Sequence, residues 1–144
     1  MGDFLDPFKK EIENAGNSFD KHIFRWCIEN YIPLKQFNEG EIQIIFYENL
    51  CTNTQKEVER ILSFIGEPFS LEILEQSTRP SALSRKDSAI ASGANLIDSW
   101  RNDINDKQVE RALEICSIFG LEKIYDQSSL PLLSGRAALN AFSA

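Results

Sequence analysis

The chain has 144 residues, 42% of them hydrophobic, with 22 acidic against 15 basic side chains and a formal net charge of −7. That length suits one soluble domain with a modest core, and the acidic balance excludes a general nucleic-acid binder, which needs a basic face to neutralise phosphates. Cys27, Cys51 and Cys116, odd in number, widely spaced and with no Cys-x-x-Cys pair, read as reduced, buried thiols, and with His22 as the single histidine they indicate neither a disulfide framework nor a metal site.

The first segment, Met1 to Asn17, carries Phe4, Leu5 and Phe8 on a short helical face and then softens through Asn14, Gly16 and Asn17. From Asp20 the apolar residues Ile23, Phe24, Cys27, Ile28 and Tyr31 recur at helical spacing, and Pro33 is expected to end that helix. The run Ile42-Gln-Ile-Ile-Phe-Tyr47 is β-branched and aromatic with one polar interruption, the pattern of a strand covered on both faces in a parallel sheet. It is the one convincing strand in the chain, and a lone strand exposes unpaired N–H and C=O groups. The expected complement is therefore a second, N-terminal half-domain or a copy of the chain itself.

Thr54-Gln-Lys-Glu57 reads as a capping box opening a helix whose apolar stripe is Val58, Ile61, Leu62 and Ile65, with Gly66 as its left-handed stop. A shorter helix from Leu71 to Gln76 leads into an irregular stretch, Ser77 to Gly93. Asn105 to Gln108 repeats the capping-box logic, and Val109, Ala112, Leu113, Cys116 and Phe119 form the buried face of the helix that follows, ended by Gly120. Residues 127–144 are rich in Ser, Ala and Leu without a strong period, so poor order is expected there.

The stretch from Ser77 to Ser92 concentrates Arg79, Arg85 and Lys86 among several hydroxyls in an otherwise acidic protein. An arginine fork binds two oxygens at once, a lysine adds a mobile charge and a serine fills remaining lone pairs, which together suit a phosphate monoester. The plainer reading is a solvated loop whose charges meet only water. His22 sits early on an amphipathic helix and reads as an ordinary helix histidine. No apolar run approaches the ~20 residues of a membrane span, and Met1 to Glu13 lacks an apolar stretch of signal-peptide type, so a cytoplasmic protein without membrane contact is expected.

Taken in order, Tyr47-Glu-Asn-Leu50, the helix ending Phe64-Ile-Gly-Glu-Pro68 and Ser99-Trp-Arg-Asn102 resemble the C-terminal half of sulfotransferases that use 3′-phosphoadenosine 5′-phosphosulfate (PAPS). The resemblance implies an α/β fold: the C-terminal part of a P-loop NTPase-like sulfotransferase domain over residues 1–126, predominantly helical with one parallel-type strand, followed by the tail 127–144. It implies PAPS as co-substrate, held through its 3′-phosphate, with no metal. In that family a C-terminal loop carrying Arg-Lys closes over the donor, and Arg85-Lys86 match it, making Ser84, Arg85 and Lys86 the donor-binding candidates. Asp87 stands where the cytosolic branch has Gly, and the gap from Lys86 to Trp100 is longer than in that branch.

The family's reaction moves a sulfuryl group to a hydroxyl or amine acceptor. Sulfuryl transfer, like phosphoryl transfer, needs backbone N–H groups and a lysine around the transferring oxygens. No Gly-rich strand-to-helix turn carrying Lys occurs in these residues, so no catalytic residue is assigned and the segment is expected to be inactive alone. Two rivals are a small helical interaction module docking through Phe4, Phe8, Phe19, Phe24 and Trp26, and one half of a P-loop kinase.

Overall fold

A computed structural model describes residues 4–77 and 95–143, and the chain in it divides into two compact units. The first is discontinuous, built from Met1–Ile44 and Ile104–Ala144; the second is Ile45–Asp103. No helix among the described residues is long and apolar enough to cross a membrane.

In the first unit a 3₁₀ turn, Asp6–Phe8, runs into α1 (Lys9–Glu13), and α2 spans Ser18–Gln36. Asn17 caps α2 by accepting from the Asp20 N–H at 2.8 Å, which satisfies an otherwise orphaned amide. Pro33 does not end this helix. The missing N–H removes one intrahelical bond, yet Leu34 in the next turn is buried and Lys35 Nζ donates to the Phe142 carbonyl at 2.8 Å, so packing carries the helix on to Gln36.

After the second unit the chain re-enters through α6 (Asp106–Ile118), which opens on the expected box. Asn105 accepts from the Gln108 N–H at 3.1 Å, and the Gln108 side chain accepts from the Asn105 N–H at 2.9 Å. Gly120, at φ +73°, turns the chain out of α6 and into a 3₁₀ turn, Leu121–Lys123. The core of this unit is aromatic: Phe8 lies 4.5 Å from Phe119 and 5.2 Å from Tyr31, centroid to centroid, and Tyr31 reaches Phe142 at 6.1 Å. Phe8 and Phe24, two of the rings the interaction-module reading would offer to a partner, are thus engaged internally.

Residues 127–144 differ from expectation. They carry α7 (Gly135–Phe142), capped by the Ser134 hydroxyl at 3.3 Å from the Ala137 N–H, with Ala138, Leu139 and Phe142 all buried. Each such apolar side chain contributes about 1.5–3 kcal/mol relative to exposure for the larger ones, enough to order a segment whose composition alone is ambiguous.

The second unit contains α3 (Tyr47–Thr52), α4 (Thr54–Ile65), α5 (Leu71–Ser77) and a 3₁₀ turn, Ser99–Asn102. Here the strand expectation is corrected. Residues 43–46 have no regular structure, Tyr47 opens a helix, and the β-type pairing near them is one isolated parallel bridge between Glu39 and Ile42, with no strand among the described residues. A β-branched run forms a strand only where a second strand takes up its backbone groups; among the described residues none is present. The α4 box is also corrected: Asn53 rather than Thr54 is the N-cap and makes no side-chain cap bond, its Nδ2 donating to Thr52 Oγ1 at 3.3 Å, and the Glu57 carboxylate pairs with Arg60 at 2.6 Å instead of reaching back. Gly66, at φ +78°, ends α4 as expected, with Glu67 N–H donating to the Leu62 carbonyl at 2.9 Å.

Candidate functional site

Ser84, Arg85 and Lys86 lie outside the described residues, as do Arg79 and the rest of the 78–94 segment. Described residues of the second unit flank that segment on both sides.

On its C-terminal side the chain from Asn95 to Asp103 is fastened to itself. The Asn95 Oδ1 accepts from the Ile97 N–H at 3.0 Å and from the Asp98 N–H at 3.2 Å, while its Nδ2 donates to Asp98 Oδ2 at 2.8 Å. Such a side-chain-to-backbone turn fixes the local path without help from regular structure. The Arg101 guanidinium lies 4.3 Å from the Trp100 ring centroid, and its Nε stands 3.5 Å from Asp98 Oδ1. Stacking and ion pairing both hold this cation in the turn. Trp100 is half-buried, serving as the platform for Arg101.

On the N-terminal side lies the α3–α4 corner. Thr52, Asn53, Thr54, Gln55, Lys56 and Glu59 line an open polar cleft of about 440 Å³. Its wall includes the first turn of α4, whose N-cap side chain leaves the leading amides without a cap bond. Tyr47, exposed in the first turn of α3, is hydrogen-bonded to Cys51 one turn on, which pushes its pKa up. The neighbouring Glu48 has its Oε2 buried with no hydrogen-bond partner. The structure therefore separates Tyr47 and Glu48 into an exposed phenol and an inward carboxylate, on a helix where a strand end was expected.

His22 is exposed in the first turns of α2, with Nδ1 donating to the Ser18 carbonyl at 2.6 Å. Among the described residues, no group of three or more His, Cys, Asp or Glu side chains is placed to hold a metal ion.

Two features of the first unit escaped the sequence reading. Asp20, 6% exposed, receives Nη2 and Nε of Arg111 on its Oδ2, at 2.9 and 3.2 Å, from 91 residues away. The Arg111 hydrogen bonds hold the Asp20 carboxyl below its usual range against the opposing cost of burial. The second is the contact of Cys27 with Cys116, whose sulfurs are 3.8 Å apart. Helical spacing marks Cys27 and Cys116 as inward but singles out neither Asp20 nor Arg111, and which residues meet depends on tertiary packing.

Comparison with known proteins gives one positive finding: a family model described as the sulfotransferase domain matches residues 2–128. No curated protein and no solved structure matches the chain.

Proposed function

Because the chain belongs to the sulfotransferase domain family, we propose that it takes part in sulfuryl transfer from PAPS to a hydroxyl or amine acceptor, supplying the side chains that hold the donor's 3′-phosphate. The family match carries this reading. Arg85, Lys86 and Ser84 give a charged fork, a mobile ammonium and a hydroxyl in one short stretch, the donor set a phosphate monoester takes. The self-bonded turn at Asn95–Asp103 supports the proposal, since a binding loop works best when one end is anchored. Arg101 is occupied by Trp100 and Asp98 and is left out of the clamp.

In this proposal the domain is P-loop NTPase-like, and residues 1–144 contribute neither the sulfate-binding turn nor a general base, so they turn over no substrate unaided. A complementary half-domain, or a second copy, completes the site. The second unit exposes Ile45, Tyr47, Phe64, Ile65 and Leu71, apolar area of the kind an associating surface presents.

The deciding experiment is calorimetry with 3′-phosphoadenosine 5′-phosphate, the desulfated donor, on the chain alone and with a P-loop-bearing half added. Binding is expected, with Arg85→Ala weakening it by about 1.5–3 kcal/mol, a tenfold to hundredfold loss. Arg101→Ala should leave it unchanged, and adenosine 5′-phosphate should be indifferent to Arg85→Ala. Equal losses for both nucleotides, or PAPS-dependent sulfation by the homogeneous chain alone, would overturn the assignment.

A further inference from the structure

Cys27 on α2 and Cys116 on α6 face each other inside the first unit, 0% and 6% exposed, with Sγ atoms 3.8 Å apart. We propose that these two thiols are a built-in disulfide site, closed reversibly by a small peroxide oxidant, which covalently joins the two separated pieces of the discontinuous unit. A disulfide bond is about 2.05 Å long, so each sulfur need move by roughly an ångström, a shift that side-chain rotation supplies without parting the helices.

The chemistry has a defined order. Cys27 donates its S–H to the Cys116 sulfur, so the Cys116 thiol is held below its ordinary pKa by that bond while the Cys27 proton is held more tightly. Cys116, the acceptor in that hydrogen bond, is the sulfur with its lone pair turned toward the partner, and it acts as the first nucleophile. Its thiolate attacks one peroxide oxygen, the O–O bond breaks, and hydroxide leaves with the thiol's proton as water. The resulting sulfenic acid meets Cys27 at van der Waals range. The Cys27 sulfur attacks it, the S–O bond breaks, and a second water departs with the Cys27 proton. Two thiols and one hydrogen peroxide become one disulfide and two waters: each sulfur is oxidised by one electron and each oxygen reduced by one.

Burial makes the pair selective. Bulky thiols and disulfides are kept out by the side chains around 0% and 6% exposed sulfurs, whereas peroxide is little larger than water. A sulfenic acid formed there also has a partner closer than any further oxidant. Cys51 is in the second unit, where it is hydrogen-bonded to Tyr47.

The test uses the full chain carrying Cys51→Ser, leaving two thiols. After hydrogen peroxide treatment of the folded chain, both should be lost to a thiol reagent added in denaturant, the intact mass should fall by two hydrogens, and dithiothreitol in denaturant should restore both. Tryptic peptides Trp26–Lys35 and Ala112–Lys123 should emerge joined. The loop closed spans 89 residues, so the melting temperature should rise by about 10 °C or more. Protease cleavage between residues 45 and 103 should release the pieces only after reduction. Oxygen added to Cys116 with the peptides unlinked, a disulfide between two chains, or thiols that survive peroxide in the folded protein would each overturn the proposal. In Cys27→Ser, sulfenic acid on Cys116 should persist and be trapped by dimedone once the peroxide-treated chain is unfolded; should that variant not fold, the linked peptides of the Cys51→Ser chain still decide.

Discussion

Asp20 shows how much a single side chain can depend on a distant partner. Its Oδ2 is bonded twice by Arg111, its Oδ1 is buried with no partner, and its backbone N–H is taken by Asn17. A carboxylate so placed is tolerable only while the guanidinium remains. Arg111 is itself 44% exposed and also serves Glu114, so solvent screening limits the pair, and Arg111→Ala is expected to cost about 1–2 kcal/mol in urea denaturation at neutral pH. The folded pKa of Asp20 is depressed below 3.8, so the pair's contribution is complete above the unfolded value of about 3.9. It is lost as pH falls through the folded value. Wild type should therefore lose stability below about pH 4 more steeply than Asp20→Asn, and parallel acid profiles would show that the pair makes no such contribution. Nothing in the sequence singles out Asp20, one acid among 22, because its partner is 91 residues away.

Among the elements, legibility follows locality. The Asn105–Gln108 box and the Gly66 and Gly120 stops are settled by residues within one turn, and each is found where the sequence places it. The run from Ile42 to Tyr47 fails as a strand because strand formation is a property of two segments, and a single run carries only half the information. Helix α7 was missed for a different reason: eight residues with small side chains give little period, and its order comes from Ala138, Leu139 and Phe142 being covered. Ser134 as an N-cap was the available signal. Gly135 sits where this helix meets the 43–44 segment. A Cβ there would collide with the Ile44 carbonyl oxygen and lie 3.0 Å from its carbon, so backbone must shift. Gly135→Ala should destabilise the first unit by about 1–3 kcal/mol, read as a lower denaturation midpoint; an unchanged midpoint would mean that α7 does not pack there. The donor-binding stretch is the least legible part, since Ser84, Arg85 and Lys86 derive their reading from a motif resemblance and lie outside the described residues.

At the scale of the whole molecule the division into units matters more than any one helix. The family assignment was legible from three short motifs in order, because such motifs survive in sequence without reference to packing, and the family match spans residues 2–128. The two-unit division was not legible, since the first unit's pieces are separated by residues 45–103 and each piece alone reads as an ordinary amphipathic helix. A chain ending at residue 126 lacks the Lys35–Phe142 bond and the buried face of α7. It should expose α2 to protease and lose slow amide exchange at Phe24 and Cys27, whereas retention of full protection would show that α7 is dispensable.

The discontinuous unit also bears on how the chain is made. A ribosome delivers residues in order, so α2 emerges with Phe24, Cys27 and Leu34 uncovered and must wait through the whole second unit for α6, and then for α7. Contacts of that sequence separation form late. Throughout that interval the nascent chain presents an uncovered apolar helix face, the kind of surface that promotes aggregation and that chaperones bind. The second unit, contiguous in sequence, needs no residue that has not already been synthesised when Asp103 appears.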